Sequence, residues 1–124
     1  MNRFLSKSQK GLQSYKKGLW AEEFGSLMLT LKGHRLLERR YKTPGGEIDL
    51  ITETLNYIVF VEIKARPTFS EAAYALTQKQ KMRLQAAALY YLQKNPSSKK
   101  VRFDVLLVKP GSFPVHLKNA LWSE

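Results

Sequence analysis

Apolar positions recur along the chain with two periods, and each period points to a kind of element. From residue 18 to about residue 32, Trp20, Phe24, Leu27, Met28 and Leu31 fall at the i, i+4, i+7, i+8 and i+11 spacing of one helix face. Gly33 follows where helices commonly end in a left-handed residue. HRLLERRY (34–41) reads as a strand, and the turn TPGG (43–46) leads into a second strand, EIDLITE (47–53). A turn at Leu55–Asn56 precedes YIVFVEIKA (57–65), almost unbroken in β-branched and aromatic residues. Such a run suits a central strand covered on both faces, so 47–65 is expected to be a hairpin. Pro67 ends it, and residues 70–76 suit a short helix or an ordered loop. A second helix is expected from Thr77 to about Lys94, with Thr77 and Gln80 in capping-box spacing and Asn95-Pro96 stopping it. VRFDVLLV (101–108) reads as another buried strand, and residues 113–122 as an edge strand. Helix, strands, helix and strand in that order predict an α/β fold with a central mixed β-sheet flanked by α-helices.

Composition makes this one domain. At 124 residues and 44% hydrophobic, the chain buries a real core and is too apolar to be disordered. We expect a basic arm at 1–17, which holds Arg3, Lys7, Lys10, Lys16 and Lys17 and no acid, followed by a single domain at 18–124. The first residues lack the compact apolar stretch of a secretory signal, and no run is long enough to span a bilayer. There is no cysteine, which removes disulfide and thiolate-zinc frameworks and fits a cytoplasmic protein.

Charge changes the picture most. Against 10 acidic residues stand 21 Lys and Arg, a net +11. A surplus this large in a small domain points to a polyanion, first of all nucleic acid. Candidate phosphate contacts are Lys16, Lys17, Arg40, Lys42, Arg66, Lys79, Lys81 and Arg83, with Lys99 and Lys100.

Among so many bases, the position of each acid is informative. Asp49, Glu62 and Asp104 sit inside apolar strands, where a carboxylate needs a counter-charge or a metal. Strand alternation puts Glu62 and Lys64 on one face, and Glu47 and Asp49 likewise. Hairpin pairing then sets Asp49 beside Glu62. Two carboxylates with a lysine suit a hard divalent cation, Mg²⁺ or Mn²⁺, and the backbone carbonyl of Ile63 offers another oxygen. The competing reading is a buried Glu62–Lys64 ion pair without chemistry. On the first helix, Glu22 shares a row with Gly25 and Leu29 and is the acid expected to face the protein body, rather than Glu23. Asp104 is expected to have a structural partner among Arg102, Arg66 or a backbone amide. His34 and His116 have no metal-ligand spacing and are expected at the surface. Trp20, Tyr90 and Tyr91 are expected to pack their helices, and Gly45-Gly46 is a turn, not a phosphate loop.

G-x-x-A-E (Gly18–Glu22), G-E-I-D-L-I (Gly46–Ile51), F-V-E-I-K-x-R (Phe60–Arg66) and R-F-D-V (Arg102–Val105) together resemble the YraN-like family of predicted bacterial endonucleases, uncharacterised protein family 0102. The resemblance spans about residues 16–122. That family is similar to Holliday-junction resolvases and implies a restriction-endonuclease-like fold with a PD-(D/E)-x-K site. It implies that Asp49 is the first acid, that Glu62 and Lys64 supply the E-x-K, and that Glu22 is the helix glutamate near the metal. Glu47 lies in the G-E-I-D motif, with a supporting or turn-stabilising role. Related enzymes act as dimers, so the resemblance also implies a homodimer. The chain departs from the pattern at Gln80, where a lysine is usual, and in a short Pro67–Ala75 loop without glycine.

The leading expectation is therefore a Mg²⁺-dependent DNA endonuclease, structure-specific or resolvase-like. The alternative is a nucleic-acid-binding module without turnover on the same fold. An RNA enzyme is a third option, and it lacks a recognisable set of stacking aromatics.

Overall fold

The computed structural model describes residues 20–68 and 78–120. The basic arm with Lys16 and Lys17, the segment 70–76 and the capping Thr77 lie outside the described residues. Helix α1 covers residues 20–31. It is followed by β1 (Arg35–Thr43), β2 (Gly46–Glu53), β3 (Tyr57–Ala65), helix α2 (Gln78–Lys94), β4 (Lys100–Val108) and β5 (Val115–Leu117). The strands form one sheet in the order β1-β2-β3-β4-β5. β1–β2, β2–β3 and β4–β5 pair antiparallel, whereas β3 and β4 run parallel and so need the crossover that carries α2. This is the expected α/β architecture with a mixed sheet, and it is consistent with a restriction-endonuclease-like core. No helix among the described residues is long and apolar enough to cross a membrane.

β3 lies at the middle of the sheet because both of its faces are apolar. Ile58 and Phe60 enter one core with Phe103, Val105 and Leu107 of β4 and with Leu84, Ala87, Ala88 and Tyr91 of α2. Val59 and Val61 enter the other, with Leu50, Leu106 and Leu29 of α1. The helices thus cover opposite faces. α2 buries the i, i+3, i+4, i+7 row that its periodicity predicts.

α1 turns the other way from its predicted face. Trp20, Leu27 and Leu31 of the apolar stripe are exposed, Leu31 to 80%, while Ala21, Glu22, Gly25, Ser26 and Leu29 are buried. Close approach to the sheet explains the reversal. A Cβ on Gly25 would stand 3.0 Å from Leu106 Cδ1 and 3.5 Å from Ile63 Cδ1, so only the small-residue face fits. Gly25→Val should therefore destabilise the domain by about 1–3 kcal/mol through overpacking, read by urea unfolding. A neutral substitution would mean that α1 sits further from the sheet. The helix closes as expected at Gly33 (φ +92°), with Gly33 N–H donating to Thr30 O at 3.1 Å and His34 N–H to Leu29 O at 2.9 Å.

Candidate active site

The sheet opens where the acids stand. Regular pairing of β2 with β3 runs from Glu53–Ile58 to Leu50–Val61 and ends there. β3 stays paired with β4 as far as Ala65–Val108. Glu62 to Ala65 are thus held along one edge by β4, while the β2 edge is free of ladder bonds. Asp49, the next residue of β2, fills the gap with its side chain: Ile63 N–H donates to Asp49 Oδ2 at 2.7 Å. The same carboxyl lies close enough to Glu62 for its charge to disfavour ionisation there. Lys64, one alternation further along β3, places Nζ 3.4 Å from Glu62 Oε1. The three side chains named from the sequence are therefore one group, and Lys64 is buried within it.

Two carboxyls face one ammonium here, and their acidities respond. Burial pushes Glu62 up to about 7, reinforced by the neighbouring Asp49 charge and opposed by Lys64. Burial also raises Asp49; the Ile63 N–H and Lys64 oppose the shift, and the charges of Glu47 and Glu22 add to it. With both carboxyls ionised, the group carries one surplus negative charge in a poorly solvated place. That is an unfavourable state that a cation would relieve. Among the described residues, no group of three or more His, Cys, Asp or Glu side chains is arranged to hold a metal ion. The side-chain oxygens that a hard cation would meet here are those of the two carboxyls.

Glu22 faces inward and is buried, whereas Glu23 is exposed. Glu22 accepts from Arg40 Nε at 2.7 Å, and Glu23 accepts from Arg39. Successive strand residues normally point to opposite faces. Arg40 adopts φ +49°, which lets Arg39 and Arg40 both reach α1. Arg40, named as a phosphate contact, is thus the ion-pair partner of Glu22, and Lys99 is similarly held by Glu53 at 3.2 Å. Lys42, Arg66, Lys79, Arg83 and Lys100 are exposed, and Lys81 is half-buried. Glu47 is exposed, and the β1–β2 turn is held instead by Thr43, whose hydroxyl donates to Gly46 O at 2.7 Å.

A second polar group, of which the sequence shows Asp104 and Arg102 but not the histidines, lies under the other end of α1. Asp104 is fully buried and accepts from Arg102 Nε and Nη2, both at 2.9 Å, from Asn119 N–H at 2.8 Å, and from His116 Nε2 at 2.6 Å. Lys32 Nζ lies 2.6 Å from His116 Nδ1, and His34 Nδ1 lies 2.8 Å from Thr52 Oγ1. The expectation that both histidines sit at the surface is wrong: His34 is 6% exposed and the His116 side chain 2%. Of the partners that the sequence offers to Asp104, Arg102 and a backbone amide are present, the amide being that of Asn119, while Arg66 turns to Ala65 O instead.

The model of an uncharacterised protein family, UPF0102, matches residues 21–108. The chain belongs to this family. A UPF0102 protein of Rhodopseudomonas palustris (strain BisB5) is 44% identical over 86% of this chain and 83% of its own length. A second, from Parvibaculum lavamentivorans, is 44% identical over 89% and 84%. A third, from Bradyrhizobium sp. (strain ORS 278), is 41% identical over 91% and 82%. The family match spans α1 to β4 and so includes Glu22, Asp49, Glu62 and Lys64, together with Arg102 and Asp104. It stops short of β5 and His116.

Proposed function

We propose that this protein is a metal-dependent endonuclease acting on DNA, of the PD-(D/E)-x-K type, with Asp49, Glu62 and Lys64 as its catalytic group. The observation that carries the reading is the Asp49–Glu62 carboxyl pair with Lys64 against it, set in an opening of the sheet of a +11 chain. A salt bridge alone would need one carboxylate; the second makes the group costly unless a cation takes up the surplus charge. Asp49, Glu62 and the Ile63 carbonyl would hold Mg²⁺ or Mn²⁺, and Glu22 would join them only by releasing Arg40. Bound there, the cation would polarise the scissile phosphate and acidify an attacking water. Lys64 orients that water and stabilises the charge developing on the phosphate. Lys42, Arg66, Lys79, Lys81 and Arg83 neutralise the flanking phosphates, so binding weakens steeply as salt rises.

The test is a calorimetric titration of Mg²⁺ and Mn²⁺ into wild type, Asp49→Asn and Lys64→Ala, followed by cleavage of four-way junctions and flaps. Wild type should bind one cation and cleave. Asp49→Asn should lose both properties, and Lys64→Ala should keep cation binding while cleavage falls by about 10²–10³-fold. Salt-sensitive binding of DNA without cation uptake or cleavage, with oligonucleotide present throughout, would replace this reading with a non-catalytic module.

A further inference from the structure

Immediately beyond Lys64 the chain builds a cavity of about 480 Å³ whose walls are mainly apolar: Trp20 of α1, Pro67 after β3, and Val108 and Pro110 at the end of β4, with Arg66 at the rim. Its floor is fixed, since Arg66 N–H donates to Val108 O at 3.1 Å and Ala65 pairs with Val108. Trp20 is 47% exposed, although its spacing predicts a packing role. Phe24 stacks on the indole (5.5 Å, 16°), which uses one face and braces the ring. The Arg66 guanidinium is exposed and donates to Ala65 O at 2.7 Å, so it is steadied beside the cavity.

The geometry points to this cavity as the seat of one unstacked nucleobase next to the cleaved phosphate. The inference rests on the nuclease reading for the position of that phosphate. An indole braced on one side and proline rings suit a flat heteroaromatic ring, which binds by stacking whatever its sequence. The volume lies in the range of small-molecule sites. The charge at the rim is cationic, as a base with its phosphate attached requires and as an apolar peptide would not. The cavity also lies at the carboxyl ends of the parallel pair β3–β4, where open α/β sheets take their ligands. Arg66 stands two residues beyond Lys64, just past the end of β3, and lines the cavity with Trp20, so a nucleotide whose phosphate reaches Lys64 can pass its base around the strand end to the indole. A base enters only when it is not stacked in a duplex. The preferred substrate is thus a single strand, a flap or a junction arm, in preference to continuous duplex.

The experiment measures binding in EDTA, where no cleavage occurs, using a 15-nucleotide single strand carrying 2-aminopurine and the blunt duplex of the same sequence. Wild type should prefer the single strand and quench the 2-aminopurine. In Trp20→Ala the preference should fall by about 5- to 100-fold, the range of one lost base–aromatic stack, and the quench should disappear. Trp20→Tyr should restore both. Trp20→Leu keeps the apolar packing without a stacking ring, and reads the same if Trp20→Ala fails to fold. Leu31→Ala, on the exposed side of the same helix, should behave as wild type. Equal preference in wild type and Trp20→Leu, or an unquenched probe, would overturn the inference. Cleavage that proceeds without any dependence on Trp20 would remove the cavity and keep the nuclease. Selective, quenching binding with no cleavage in Mg²⁺ or Mn²⁺ would do the reverse.

Discussion

Glu62→Gln should cut DNA cleavage by at least about 10²–10³-fold and at the same time make the metal-free protein more stable at pH 8. The first effect would follow from removing one of the two charged oxygens proposed to hold the cation. The second follows from the price that the folded state pays for holding Asp49 and Glu62 together. Unfolded, Glu62 ionises near 4.5; folded, it ionises near 7. Because the folded pKa is the higher one, ionisation opposes folding. The penalty is absent below pH 4.5, grows between 4.5 and about 7, and is complete above. A shift of that size corresponds to about 3 kcal/mol. Gln keeps the shape, lets Lys64 answer Asp49 alone, and removes the penalty. The measurement is thermal unfolding of both proteins with chelator at pH 4.5 and pH 8. Wild type should melt lower than the variant at pH 8, by roughly 5–15 °C, and the gap should close at pH 4.5. An equal gap at both pH values would mean that the carboxyls do not interact. A variant less stable at pH 8 would make Glu62–Lys64 an ordinary stabilising ion pair and undo the catalytic reading with it.

The grouping of Asp49, Glu62 and Lys64 was legible in the sequence because it depends on two local rules. Alternation along VEIKA fixes Glu62 and Lys64 to one side, and the length of the turn at Leu55–Asn56 fixes which β2 residue meets Glu62. The same rules gave the order of the elements and the central place of β3. They failed where hydrophobicity and burial part company. β5 exposes Val115 and Leu117 by more than a third and turns His116 inward, because Asp104 awaits it on β4. α1 likewise shows solvent Trp20, Leu27 and Leu31 and buries Glu22 and Ser26, because the sheet leaves room only for small side chains or a paired one. In β5 a long-range polar partner overrides the apolar pattern, and in α1 the close approach of the sheet does, with the Glu22–Gly25–Leu29 row as its one local sign. Arg40 is the same case as β5. Its basic side chain looks like a phosphate contact until its positive φ and the buried Glu22 are both in view.

Asp104→Asn should be the most damaging single change outside the Asp49–Glu62–Lys64 group, lowering stability by about 3 kcal/mol or more in urea unfolding. The carboxylate accepts four hydrogen bonds from Arg102, His116 and Asn119, and joins β4 to β5 and to the chain beyond it. Burial would push Asp104 up, but the bonds from His116, Arg102 and the Asn119 amide, with the Arg102 charge, outweigh it and hold it at about 2. An acid with a depressed folded pKa stabilises the fold above its unfolded value of 3.8 and loses that contribution as pH falls toward 2. Beside it, burial and the neighbouring His116 and Arg102 lower His34 to about 4, against 6.5 when unfolded. The unfolded chain therefore takes up that proton first, and His34 erodes stability as pH falls from 6.5 to 4. Over most of that window Glu62 works in the opposite direction. Wild type should thus show a shallow stability profile from pH 6.5 to 4.5 and a steep loss below 4. In Glu62→Gln the His34 slope stands alone and the decline begins near pH 6.5. In Asp104→Asn the loss between pH 4 and 2 is what should shrink. A profile for Asp104→Asn parallel to wild type down to pH 2 would show that its carboxylate is not what holds β5 and the turn after it to the sheet.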